Sequence, residues 1–275
     1  MSKILYIFAG SVWAAAAELA VAELGYKDGE NITIKVVNLV NGENFAPSFV
    51  KLNPNATLPT LEAGGKVYGS TAEVIAALAK DAPVKVKAGT SITETIHEEK
   101  YDPNFAMLLS RNEAELTAKG AGLAGTFIGN RQAALEKYSQ SADAAPYKAF
   151  YETKLAQNGG MLAIVTGKAP EEHKAGFFAK SQAHFDSVKG AVLEVLPGFL
   201  PASGFIGGEV PGEDDFHVGA WLARIAATCG AKSADDAPAA FEKAYGAPVP
   251  ASVAAYWGAW TARPSWKTVY ASGLH

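Results

Sequence analysis

The chain has 275 residues, a formal net charge of -4, and 49% hydrophobic against 19% charged residues. That length and balance describe a globular protein able to bury a core and exclude general disorder, and a single cysteine, Cys229, excludes an internal disulfide framework and a CxxC metal site. Residues 1–82 contain no arginine and neither they nor the remainder carry a basic excess, so nucleic acid is not an expected partner.

ILYIF (4–8) is a short apolar strand candidate, too brief for the apolar region of a secretory signal. SVWAAAAELAVAELG follows with Trp13, Ala17, Ala20 and Leu24 at helical spacing and Gly25 placed to end the helix. ITIKVV (32–37) alternates apolar and polar residues as a second strand, and 46–52 reads as a short helix with Pro47 in its first turn. PTLEAGGKVYG predicts a hairpin across Ala63-Gly64-Gly65, and STAEVIAALAKDA a closing helix. The order βαβαββα predicts a mixed sheet with helices packed on it. The Pro- and Gly-bearing segment 81–90 sets the expected domain boundary. Beyond it the patterns are helical over 103–118, 144–158, 171–195, 214–228 and 250–262, with a Pro/Gly-rich loop at 197–212. No apolar run is long enough to span a membrane, and a cytoplasmic protein is expected.

Three sites invite chemistry, each beside a plain structural reading. Ser11 falls at the start of the first helix, where N–H groups and the helix dipole favour an anion such as a thiolate; it is equally a standard N-cap. Pro59 enters a strand, and an X-Pro bond there can be cis and turn backbone polar groups outward; it can also be an ordinary turn. Ser70-x-x-Glu73 fits a capping box, while the same helix start can hold a ligand carboxylate. His97, His173, His184, His217 and His275 show no paired metal spacing, so no metal is expected, and His97-Glu98-Glu99 reads as a solvated charge run. There is no GxGxxG, GxxxxGK[ST] or GxSxG motif. Cys229 reads as a small core residue.

Together, GSVWAAAAELAVAELG, KLNPNATLPTLE and STAEVIAAL resemble the thioredoxin-like domain of the glutathione transferase superfamily. The middle segment looks like that family's Asn-Pro-x-Gly-x-Val-Pro stretch, and FIGGEVPGEDDFHVGAWL resembles its helical-domain capping segment, with Asp215 as the aspartate. The resemblance implies a thioredoxin-like glutathione-binding domain over 1–82 and an all-helical substrate and dimerisation domain over 83–275, larger than usual for the family. It further implies that Ser11 donates to the sulfur of glutathione, that Leu58 before a cis-Pro59 pairs with the tripeptide backbone, and that Ser70 and Thr71 hold its γ-glutamyl end. Ser70 stands where the family carries an acidic residue. Lys51 is the expected contact of the glycyl carboxylate. Trp13, Tyr101, Met107 and Arg111 are candidates to face a second substrate, with ordinary helix-surface or core roles as their alternative. The implied activity is conjugation of glutathione thiolate to small apolar electrophiles by a homodimer. The alternatives are a non-catalytic binding or assembly module on the same fold and a glutathione-dependent peroxidase or ether-cleaving enzyme.

Overall fold

A computed structural model describes residues 3–275. The N-terminal part runs β1 (Lys3–Ile7), α1 (Val12–Glu23), β2 (Thr33–Val36), α2 (Pro47–Leu52), β3 (Thr60–Ala63), β4 (Lys66–Tyr68) and α3 (Thr71–Lys80), the predicted βαβαββα order. The sheet order is β2-β1-β3-β4, with β3 antiparallel to both its neighbours.

Local chemistry explains these boundaries. Ser11 caps α1, its Oγ accepting from the Ala14 amide at 3.4 Å. The helix ends where Gly25 takes φ +78°, with Tyr26 N–H donating to the Val21 carbonyl and Gly25 N–H to that of Ala22, a Schellman arrangement. Gly64 and Gly65, both at positive φ, make the β3–β4 turn. Ser70 and Glu73 form the reciprocal capping box of α3.

The remainder is helical: α4 (Ser91–Ile96), α5 (Pro103–Leu108), α6 (Glu113–Ala121), α7 (Leu123–Ser139), α8 (Lys148–Val165), α9 (Glu171–Gly190), α10 (Glu213–Thr228), α11 (Ala237–Tyr245), α12 (Ala251–Thr261) and α13 (Pro264–Val269). The expected helix over 103–118 is two, because Asn112 caps a new helix by accepting from the Glu115 amide at 2.9 Å. The expected 171–195 helix finishes in a π turn at Ala191–Val195. Helix α7 went unread, since Gly125, Thr126 and Gly129 blunt its pattern. Tertiary bonds support it: Asn158 of α8 donates to the Ile128 carbonyl at 3.0 Å and to Gln132.

The chain gathers into two compact units. The first comprises the segment up to Lys35, Leu58–Ala106 and Asp186–His275; the second comprises Val36–Thr57 and Met107–Phe185. In the first, Ala14, Ala15, Ala16, Ala17, Leu19 and Ala20 of α1 are wholly buried, and Trp221 and Trp260 are buried with them. In the second, Phe45, Val50, Ala56, Leu135 and Tyr151 form the core, and the Tyr151 hydroxyl donates to the Phe45 carbonyl at 2.6 Å. No described helix is long and apolar enough to cross a membrane, and no group of three His, Cys, Asp or Glu among the described residues could hold a metal ion.

Candidate functional site

Strand pairing brings three of the predicted positions to one edge of the sheet. β1 runs out through Ile7 toward Gly10 and Ser11. β3 starts at Thr60, directly after Pro59, and Thr60 pairs with Tyr6 near the exit of β1. β4 ends at Tyr68, which pairs with Leu61 near the entry of β3, and leads into Ser70. The turns bearing Ser11, Pro59 and Ser70 therefore leave the sheet from the same end.

Each position has a defined polar state. The Ser11 hydroxyl accepts weakly from the Ala14 amide and donates to no other described residue, so its proton is available beside the positive end of α1. The Leu58–Pro59 peptide is cis. No hydrogen bond among the described residues uses the backbone N–H or C=O of Leu58. Ser70 is exposed and its hydroxyl donates to the Glu73 carboxylate at 2.8 Å. That bond, with the Ser70 and Gly69 amides, holds Glu73 below the usual carboxylate range. Thr71 is buried at the first position of α3.

The residues expected at a second substrate divide between the units. Trp13 lies in the first unit, its ring stacked on His97 with centroids 4.0 Å apart and planes 19° from parallel. Tyr101 is also there, buried, its carbonyl accepting from Trp221 Nε1 at 2.8 Å. Met107, Arg111 and Lys51 belong to the second unit. The Met107 carbonyl accepts from Lys119 at 2.6 Å. Arg111 pairs with Glu115 at 2.7 Å and lies 4.4 Å from the Phe185 ring. Lys51 is exposed in the last turn of α2.

Two groups in contact with Trp13 and Gly10, near the start of α1, were not read from the sequence as part of a site. His97 Nε2 and His217 Nδ1 lie 2.9 Å apart, so one ring must donate and the other accept. His217 is buried, and burial with the neighbouring His97 pushes its pKa down to about 3. His97 keeps an exposed edge, and the covering of its other faces holds it below the ordinary imidazole range. Arg224 of α10 is 4% exposed and donates from Nη2 to the Gly10 carbonyl at 2.6 Å. The available signal was periodicity. His217, Trp221 and Arg224 recur at i, i+4 and i+7, placing three side chains with polar atoms on one face of a helix that is otherwise apolar between its acidic first turn and Thr228.

The comparisons agree with this geometry. Residues 5–86 match the family model described as glutathione S-transferase, N-terminal domain. No curated protein sequence matches the chain. Among solved structures, the chain is similar to the beta-etherase LigF of Sphingobium sp. strain SYK-6, with 15% identity over 98% of this chain and 99% of that one and a TM-score of 0.62. It is similar to glutathione S-transferase III in its apo form, with 16% identity over 99% and 97% and a TM-score of 0.54. It is also similar to a Phanerochaete chrysosporium glutathione transferase solved with oxidised glutathione, with 14% identity over 98% and 93% and a TM-score of 0.51. At these identities the likenesses speak for the fold: a thioredoxin-like N-terminal domain followed by a large helical part. The family match covers residues 5–86, and the likeness of the whole chain to glutathione transferases is one of fold.

Proposed function

We propose that the protein binds glutathione at the sheet edge formed by Ser11, Leu58, Pro59, Ser70 and Thr71 and directs its thiolate at small apolar electrophiles. The observation that carries this reading is Ser11, an N-cap whose hydroxyl proton is uncommitted, at the same edge as the unbonded backbone groups of Leu58. A free thiol has a pKa near 8.5 and is mostly protonated at neutral pH. A hydroxyl donor and a helix N-terminus both favour the thiolate and raise the reactive fraction. The thiol gives its proton to solvent; the sulfur then forms a bond to the electrophilic carbon, and the leaving group departs with its bonding electron pair. Leu58 offers one N–H and one C=O to an extended peptide. Trp13 supplies an apolar face for the second substrate. On this reading residues 1–82 form the glutathione-binding part, 83–275 the substrate and dimerisation part, and the protein acts as a cytoplasmic homodimer.

A second reading is glutathione-dependent ether cleavage, in which thiolate attacks the carbon bearing an aryl ether and the C–O bond breaks. The fold likeness to the beta-etherase favours it.

Calorimetry with glutathione, followed by turnover of a chloronitroaromatic and of an aryl ether, tests both readings. Wild type is expected to bind at millimolar glutathione or tighter. Ser11→Ala is expected to keep binding while kcat falls roughly 10- to 100-fold, the worth of one hydrogen bond to a charged group. Absence of binding would dismiss glutathione chemistry; unchanged turnover in Ser11→Ala would remove the serine from the mechanism.

A further inference from the structure

The peptide plane between Gly10 and Ser11 is held at both ends. Its N–H, on Ser11, donates to the Phe8 carbonyl at 3.0 Å. Its C=O, on Gly10, accepts from Arg224 Nη2 at 2.6 Å. Gly10 sits at φ +89° with nothing within 4 Å of where a Cβ would project. Such a glycine has wide rotational freedom, and its own backbone does not fix the direction of the peptide that follows. The direction of that peptide sets where the Ser11 Cα–Cβ bond points. The clamp comes from a helix 214 residues away in sequence, and Arg224 is among the most buried charged side chains of the first unit.

We infer that Arg224 is the positioning residue for Ser11: its guanidinium locks the Gly10–Ser11 peptide plane, aims the serine hydroxyl at the bound sulfur, and sets a fixed positive charge behind the turn that carries it. The inference rests on the glutathione reading above. Arginine suits the task because its charge persists on burial and its planar fork fixes direction, where lysine offers a flexible point charge. Tyr270, Asp102 and His275 interact electrostatically with the guanidinium, Glu18 with Tyr270 and His97 with Asp102, and the His275 ring lies against Tyr270. These groups make up the electrostatic surroundings within which a thiol near Ser11 titrates. Because both charge and direction come from one side chain, its replacement should alter thiol ionisation and turnover more than glutathione affinity.

The test titrates protein-bound glutathione by the ultraviolet absorbance of its thiolate in wild type, Arg224→Gln and Arg224→Lys, with kcat and the KM for glutathione measured alongside. Wild type is expected to titrate well below the free-thiol value of about 8.5. Arg224→Gln is expected to raise the midpoint by about one pH unit and lower kcat at least about tenfold, with KM within about threefold. Arg224→Lys keeps the charge, so its midpoint is expected within about 0.3 of wild type, while its looser hold on Gly10 lowers kcat severalfold. A wild type that binds no glutathione, or titrates like free thiol, overturns the glutathione reading and this inference with it. A glutamine variant that folds and keeps the wild-type midpoint overturns the role of Arg224 alone. Melting and near-ultraviolet circular dichroism report whether the glutamine variant folds. If it does not, the lysine variant decides: a wild-type kcat there overturns the inference.

Discussion

Glu18 follows the alanine run of α1 and is half-buried, and desolvation pushes its carboxyl up to about 7 from the ordinary 4.5. Between those values the folded state binds more protons than the unfolded chain, so this residue's contribution to stability is full below about pH 4.5 and is lost as pH rises through 7. Glu18→Gln removes that dependence. It is expected to gain roughly 1–3 kcal/mol over wild type at pH 8 and almost nothing at pH 4, read from urea melts at the two pH values. His217 works in the opposite direction. Its folded pKa of about 3 lies below the ordinary 6.5, so the unfolded chain binds the extra proton and stability falls as pH drops below 6.5. His217→Gln is expected to flatten the acid limb of the melting-temperature profile; an equally steep limb would show that other groups set it. Ser11 was legible in sequence, because an N-cap is a local device. His97 and His217 are 120 positions apart, and no local pattern announces their bond.

Helix α10 is the element on which several contacts of the first unit converge. Asp215 at its start is wholly buried and accepts from the Ile206, Gly207 and Gly212 amides at 2.7–2.9 Å, pinning the preceding loop. Asp214 beside it accepts from the Thr90 amide and from the Thr90 and Thr93 hydroxyls. Removing the Asp215 carboxylate would leave three amide donors without their acceptor at roughly 1–3 kcal/mol each. Asp215→Ala is therefore expected to cost about 3 kcal/mol or more, measured as a lower urea midpoint. One turn further on, Gly219 faces Trp260, and a Cβ there would lie 2.6 Å from the indole nitrogen. Trp260 is packed against Phe205, Phe216 and Trp266 and has little room to move. Gly219→Ala is expected to cost about 1–3 kcal/mol, with altered tryptophan fluorescence. The Gly-Glu-Asp-Asp start of this helix was readable from its first-turn acids, but its partners at Thr90 and Gly10 were not.

At the scale of the molecule, the chain passes repeatedly between its two compact units: 36–57 joins the second, and the C-terminal segment from Asp186 returns to the first. The four consecutive buried alanines of α1 lie in a helix that packs against α10 and α13 as well as α3. Residues 1–82 expressed alone are accordingly expected to lack fixed packing, giving poor amide dispersion by NMR; a well-dispersed spectrum would show that the α/β part folds by itself. The sequence alone determined the βαβαββα order, the caps at Ser11 and Ser70, the hairpin at Gly64-Gly65 and the resemblance to glutathione transferases, because hydrophobic period, capping and turn chemistry act over a few residues. It left helices α4, α7, α11 and α13 unread, since short or glycine-bearing helices are stabilised by what they pack against. Only the tertiary structure decided which residues gather near the start of α1. His97 joins His217 and Arg224 takes hold of Gly10 through bonds between residues more than a hundred positions apart, and Trp13 stacks on His97; these contacts exist only once the chain has folded.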